Sequence, residues 1–513
     1  MLRDSQLDMQ AKPVVPQRRT DRPCVVVVGG GISGLCAASE LLRSAAQRGV
    51  AVEVAVFEAA SELGGQIRTE RVDGMLLEWG PDSLVGQKPA GGELCALLGL
   101  HDEIVRFESG EATFELLHEG RLLPLPSGFV MMAPTRLGPL FESSLFTTLG
   151  KLRVAAERFL PPRRSERDDE SLRDFVVRRF GREAYERVAE PILGGLFTAD
   201  AERLSMRCAA PRLLELELRH GSVTTGFQRM RAAERASGGR HSGAGGFFSI
   251  RSGLSTLVDR LAARLPEGSV RLATPVRRIE RQGDGYSVIS ADGRETEAAA
   301  VVLAGPAWAS AQMLRDLDPE LAGALQGLGY ASCSTVYLAY GREQVRRPLS
   351  TYGFFVPRAS GLPILACTDV SAKYPGRAPV DRVLLRVFLG GAGRPETGGF
   401  DARTQIDVAH RSVARLLEIE GPPVFGQVRD FPRSMPQFPV GYSATIELLV
   451  ERSARHPGLV LCGGAVGAFG LPDCIASGRS AGDAALEYVA SRAESIELAI
   501  QTKINARRDA RSA

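Results

Sequence analysis

The run Gly29-Gly30-Gly31-Ile32-Ser33-Gly34 spaces three glycines as Gly29-x-Gly31-x-x-Gly34, a pattern that brings a backbone against phosphate. Gly29 permits a tight turn, Gly31 lets the chain approach a pyrophosphate, and Gly34 lets a helix pack closely on a strand. Context makes the spacing informative. It follows Cys24-Val25-Val26-Val27-Val28, an apolar β-branched run that reads as a strand buried on both faces of a parallel sheet. It opens a helix expected over about residues 33–47, with Leu35, Ala38, Leu41 and Leu42 on its apolar face. The N-terminus of such a helix presents unpaired N–H groups and partial positive charge to an anion. A second strand is expected over 52–58, ending in Glu58, where a carboxylate binds ribose hydroxyls. This βαβ unit points to a dinucleotide site; a glycine-rich turn that holds no nucleotide is the plainer alternative.

Ser61-Glu62-Leu63-Gly64-Gly65-Gln66-Ile67-Arg68-Thr69 follows at once. A second glycine pair just past the ribose carboxylate resembles the two-dinucleotide motif of flavoproteins. That resemblance implies FAD rather than NAD, with Arg68 adding positive charge near the pyrophosphate unless it is only a solvated surface arginine.

The elements that must position these residues belong to a chain of 513 residues, enough for about three domains. At 44% hydrophobic and 24% charged it has the balance of a globular protein, which excludes wholesale disorder and fibrous repeats. A net charge of +3 is too even for a nucleic-acid footprint. The positive charge is nearly all arginine, with lysine only at 12, 88, 151, 373 and 503. Eight scattered cysteines and six scattered histidines form no metal-ligand spacing and suit a reducing compartment. No stretch approaches the ~18 apolar residues of a membrane helix, and the first twenty residues lack a secretory apolar region. A cytoplasmic protein is expected, with weak membrane-surface contact left open. Linkers are expected at 161–170 and 229–246. Helical patterns dominate between and around them: Ser171 caps one helix and another spans about 205–220. Strands are expected within 270–303, with a turn at Asp292-Gly293, and at 334–340, 352–356, 363–368 and 383–389. A last strand at 459–462, a glycine-rich turn and a helix over about 475–489 suggest that the C-terminus completes the nucleotide domain.

Further motifs resemble the porphyrinogen oxidases, the flavoenzymes of late haem biosynthesis. They are Trp79-Gly80-Pro81-Asp82-Ser83, the run 128–135, Glu190-Pro191-Ile192-Leu193-Gly194-Gly195-Leu196-Phe197-Thr198-Ala199-Asp200, Leu204-Ser205, Met435-Pro436-Gln437-Phe438 and Gly470-Leu471-Pro472-Asp473-Cys474-Ile475. The likeness spans about 23–490 and is nearest the bacterial branch. It implies an α/β fold of amine-oxidase-like architecture: a two-dinucleotide-binding, Rossmann-type FAD domain, a mixed-sheet substrate domain and a helical lobe. The implied division is a disordered lead-in over 1–22; an FAD domain from 23–88, 246–310 and 456–490; a helical lobe over 90–210; a substrate domain from 211–245 and 311–455; and a tail over 491–513. Gly29, Gly31, Ser33, Gly34, Glu58, Gly65, Arg68, Gly80 and Ser83 match family positions around FAD. Val276 matches a valine at the adenine end, and Phe469, Gly470 and Leu471 match the stretch beside the flavin. Phe355 and Leu365 fall near positions lining the substrate cavity, though ordinary core packing explains them equally well. Three departures stand out: Ala468 where the family often has glycine, Phe431 where it has an indole, and no basic residue in Ala112-Thr113-Phe114, where plant and mitochondrial members carry a propionate-binding arginine.

The activity implied is oxidation of protoporphyrinogen IX or coproporphyrinogen III in three hydride transfers to flavin, six electrons in all, with O₂ as acceptor and H₂O₂ as product. A tetrapyrrole substrate and hand-over to a ferrochelatase are the implied partners. The cofactor does this chemistry, so no catalytic side chain is nominated. An amine oxidase on the same fold remains a rival, but no lysine lies between Lys151 and Lys373, and Pro472-Asp473-Cys474 stands where amine oxidases carry a tyrosine motif. A tetrapyrrole-binding paralogue without turnover is the other.

Overall fold

The computed structural model describes residues 22–106, 114–130, 132–163, 169–236, 246–349 and 351–512. The expected lead-in lies, apart from Arg22, outside them. Strand β1, Cys24–Val28, is buried from Val25 onward and takes a parallel neighbour on each side. One is β2, Glu53–Phe57, in the register Val26↔Ala55; the other is Ala300–Leu303, in the register Val26↔Val301. Val270–Arg271 extends the sheet beyond β2, and Leu459–Leu461 extends it beyond Ala300–Leu303, making five parallel strands. The C-terminal strand thus closes the sheet that the N-terminal βαβ unit begins. Helix α1, Ile32–Arg48, covers one face, and the final helix, Leu471–Ser512, packs along it and runs well past the expected 489.

A seven-stranded mixed sheet lies beside this layer, in the order Phe425–Pro436, Tyr330–Gly341, Arg382–Gly390, Ile364–Asp369, Gly353–Phe355, Glu115–His118 and Arg121–Pro124. Its last two strands correct the sequence reading, which placed them in a helical lobe. Glu119 and Gly120 both adopt left-handed backbone (φ 49° and 78°), giving a two-residue hairpin that joins the strands and sends Leu117 and Leu122 into the sheet's core. Ile104–Arg106 likewise pairs with Phe247–Ile250.

Helices dominate the stretch from Gly138–Glu142 to Val223–Ala236. Ser171 caps Leu172–Phe180, its hydroxyl accepting from Asp174 N. The helix expected over 205–220 is two, Met206–Ala209 and Pro211–His220, because Pro211 offers no N–H to continue the first. The expected linker at 229–246 is helical as far as Ala236, and its remainder falls mostly outside the described residues. Pro191 sits inside a wide-wound π-helical stretch, Tyr185–Gly194, whose i→i+5 pattern accommodates the missing donor.

Candidate functional site

The turn after β1 is held by Gly29 N donating to Phe57 O at 2.8 Å, with Gly29 at φ +112°. A Cβ on Gly34 would fall on Gly29 O, so only glycine lets α1 start this close to the strand. Gly31 differs. A Cβ there would find only Gly65 Cα, at 3.9 Å, so its backbone faces open space. The helix it opens has no side-chain cap bond and no acidic residue in its first turn, which leaves its N-terminal N–H groups for an anion.

The second glycine pair lies directly against this turn. Gly64 N donates to Gly30 O at 2.9 Å, and a Cβ on Gly65 would stand 3.3 Å from Gly31 Cα. Glu58 closes the group: its Oε2 accepts from Gly30 N at 2.6 Å and its Oε1 from Ala60 N at 2.7 Å. Thr274 N donates to the backbone carbonyl of Glu58 at 2.8 Å, two residues before the half-buried Val276 that opens the strand Val276–Gln282. The Arg68 guanidinium is ion-paired to Glu62 beside it and also feels the charge of Glu58. Ser33, buried in α1, faces the C-terminal segment, where Gly463 and Gly478 come against it and Cys474 hydrogen-bonds to it. Leu471 is buried at the start of the final helix, while Gly470 (φ +78°) has open space where a Cβ would be.

Sequence reasoning missed Gly478 and Gly482. A Cβ on either would strike the backbone of α1, at Ser33 O and Ala37 O. Their four-residue spacing on a helix was the available signal.

A second group forms behind Gly80, whose own Cβ would fall on Gln66 O. Ser83 Oγ donates to Asp82 Oδ1 at 2.6 Å and accepts from Tyr374 OH at 2.9 Å. Asp82 receives Lys373 Nζ at 2.9 and 3.0 Å. Burial alone would raise the Asp82 carboxyl, but Lys373 and Arg386 outweigh it and hold it well below the usual carboxylate range. None of Asp82, Lys373 or Arg386 was picked as a site residue, although the scarcity of lysine made Lys373 conspicuous.

Phe355 stacks edge-on against Phe114 (5.1 Å, 65°), and Phe114 tilts onto Tyr352 at 5.5 Å. Leu365 lines an adjoining crevice with Glu190, Gly194, Gly195, Arg358 and Arg394. Burial raises the Glu190 carboxyl above its ordinary value, and Arg394 spends its donors on carbonyls of the crevice wall, including Val356 O at 3.0 Å. Phe469 stacks on Phe197 at 3.9 Å and 15°, joining the C-terminal segment to the Glu190–Asp200 motif, whose Gly195 lies against Phe355. The expected residues therefore gather in three places: the glycine cradle, the buried charges behind Gly80, and the aromatic wall with its crevice. Among the described residues no cluster of His, Cys, Asp or Glu could hold a metal ion.

The profile of the flavin containing amine oxidoreductase family matches residues 32–486. The coproporphyrinogen III oxidase of Bacillus subtilis (strain 168) is 32% identical over 468 residues, covering 91% of this chain and 98% of that protein. A chloroplastic protoporphyrinogen oxidase of Oryza sativa subsp. japonica is 32% identical over 494 residues, covering 90% of this chain and 88% of its own. A crystal structure from Exiguobacterium sp. 255-15, provisionally designated a protoporphyrinogen oxidase, superposes with a TM-score of 0.79 at 28% identity, covering 91% of this chain and 99% of that one. An uncapped helix terminus facing open space between two apposed glycine motifs is the arrangement this similarity calls for, and the chain belongs to the flavin containing amine oxidoreductases, in their porphyrinogen oxidase branch.

Proposed function

We propose that this protein uses FAD to oxidise a porphyrinogen, protoporphyrinogen IX or coproporphyrinogen III, to its porphyrin. The observation that carries this reading is near end-to-end similarity, at 32% identity, to a protein named coproporphyrinogen III oxidase. The cradle fits the cofactor: the open face of Gly31 and the uncapped α1 terminus suit a pyrophosphate, and Glu58, already ordered by two backbone donors, suits a ribose. The family resemblance would add Ser33, Gly65, Val276 and the 469–471 segment to the residues around the bound cofactor. Arg68, paired to Glu62, adds little net charge to it. Bound FAD would supply two-electron acceptance, so three rounds with O₂ as final acceptor remove the six electrons. The chain's own residues bind, orient and exclude water. Phe355, Phe114 and Tyr352, with rings canted to one another, offer an apolar wall for a macrocycle, and Leu365 an apolar edge beside the crevice.

Four propionates need more polar partners than two, because buried unpaired carboxylates are costly. Phe114 brings no cation to the wall, which favours an open mouth that accepts both substrates. Aerobic incubation of purified protein with each porphyrinogen tests both statements. Red porphyrin fluorescence and peroxide are expected from both, and their absence from both would overturn the activity. A kcat/KM preference for protoporphyrinogen IX above about a hundredfold, roughly 2.7 kcal/mol in transition-state binding, would instead mark a closed pocket fitted to vinyl groups.

Weak membrane-surface contact is part of the proposal, through apolar residues that the helical lobe leaves exposed. Met132, Leu145 and Phe146 are buried inside the lobe, whereas Phe141, Leu149, Leu152 and Phe159 are exposed beside Lys151 and Arg158. No helix among the described residues is long and apolar enough to cross a membrane. Flotation with anionic vesicles, lost in Leu149→Ser/Phe159→Ser, is the expected result.

A further inference from the structure

Behind Trp79, Gly80, Asp82 and Ser83 lie three cations and two carboxylates. Lys373 is 2.9 Å from Asp82, Arg386 is 3.6 Å from Asp82, and Arg377 is 3.4 Å from Glu78. These five groups sum to +1, or more once Glu78, whose carboxyl burial pushes up to about 7, takes a proton, while the half-buried Glu70 accepts from Trp79 Nε1 at 2.8 Å at the edge of the group. The charges are not at the surface. Arg386 is 4% exposed and Arg377 2%. Arg386 donates to the carbonyls of Trp79 (3.2 Å) and Gly80, yet its Nε has no partner. A buried excess of positive charge is costly, and negative charge arising close by offsets it.

We propose that this cluster is an electrostatic counterpart to the negative charge a bound flavin acquires on reduction, so that Arg386 and Lys373 raise the cofactor's reduction potential. The inference rests on the FAD reading above. Its geometry comes from Gly80, which receives Arg386 on one side and meets Gln66 O, the residue after the second glycine pair, on the other. Gln66 Nε2 in turn donates to Ser434 O at 2.8 Å, so the strand Phe425–Pro436 closes over the same place. A substrate propionate suits the cluster less well. It arrives fully charged and hydrated and would have to be stripped of water to reach a guanidinium 4% exposed, whereas charge formed on a cofactor already in place carries no such cost. These are positioning residues acting through charge.

The test is spectroelectrochemical titration of the flavin in the holoprotein. Arg386→Gln and Lys373→Met each remove one positive charge and should weaken reduction at least tenfold, about 30 mV for a two-electron couple. Asp82→Asn removes the opposing charge and should move the potential the other way. Opposite signs separate electrostatics from damage, since a variant that only loosens the site has no reason to favour reduction. If one arginine variant fails to fold, the lysine and aspartate variants still decide. Potentials unmoved in folded, FAD-loaded variants would overturn the inference while leaving the FAD reading intact. Unmoved potentials with a tenfold rise in KM would assign the charge to a substrate carboxylate instead. Wild-type protein purified without flavin, and taking none up, would remove the underlying reading itself.

Discussion

Around α1 the contacts that matter are backbone against backbone. Gly34 meets Gly29 O, Gly64 meets Gly30, and Gly478 and Gly482 meet the carbonyls of Ser33 and Ala37. In the helical lobe, helices meet through charge. Arg179, fully buried, donates through Nε to Glu157 at 3.0 Å, and stands 3.5 Å from Glu217, also fully buried. Glu157 further accepts from Ser222 Oγ at 2.6 Å and Val223 N at 2.9 Å. One region keeps its surfaces bare so that a ligand can occupy the remaining space. The other fills its interior with charges that pair with one another. Buried charge therefore means something behind Gly80, where a guanidinium nitrogen is left without a partner, that it does not mean in the lobe, where Arg179 and both carboxylates are paired.

The comparison breaks most visibly at Arg179. Arg179→Met would strand Glu157 without its buried cation, while Arg178 still pairs with Glu217, at a cost of about 3–5 kcal/mol. Chemical denaturation should register that loss, and hydrogen exchange should localise it to the lobe while α1 and the parallel sheet keep their protection. Adding Glu157→Gln should recover part of it, because the unpaired charge is then gone. Equal losses in single and double variants would mean that shape, not charge, holds the lobe.

Gly478→Ala probes the opposite half. Its Cβ would strike Ser33 O, and the final helix would have to retreat from α1, at about 1–3 kcal/mol. Because Ser33 borders the cradle, FAD affinity should fall with stability. A denaturation midpoint unchanged from wild type would show that the two helices are less closely fitted than the glycine spacing implies.

These two regions also differ in how far they could be read from sequence. The cradle is local: Gly29, Gly31, Gly34, Glu58 and Gly65 lie within 37 residues, and β1 and β2 announce themselves as apolar runs. The closing strand at 459–461 was legible for the same reason. What escaped is non-local. Gly478 is explained only by a carbonyl in α1, and the Asp82–Lys373 pair joins residues 291 apart. Arg179, Glu157 and Glu217 each read as surface charge on an amphipathic helix until folding places them together. The hairpin at Glu119-Gly120 was missed although Leu-Leu-His-Glu-Gly-Arg-Leu-Leu carries its turn, because the surrounding helical patterns drew it into the lobe. Phe355 and Leu365 rested on resemblance alone, and the structure gives them concrete neighbours, Phe114 and the Glu190 crevice.

The smallest change in stability should accompany the sharpest change in function. From sequence, Gly31→Ala is expected to yield protein both colourless and destabilised. The structure separates those outcomes. Gly31 has negative φ, at −73°, so alanine meets no backbone strain, and its Cβ finds nothing nearer than Gly65 Cα at 3.9 Å. The apo chain should therefore unfold within about 0.5 kcal/mol of wild type, the ordinary range for a substitution that touches nothing. FAD affinity should nonetheless fall more than tenfold, at least ~1.4 kcal/mol, because the new methyl stands where the pyrophosphate must meet backbone. Gly34→Ala is the control, since its Cβ falls on Gly29 O and should cost fold and cofactor together. Flavin release followed by fluorescence, beside denaturation of the flavin-free protein, distinguishes them. Gly31→Ala protein that is yellow and fully loaded would mean that the open face at Gly31 is not where the phosphates lie.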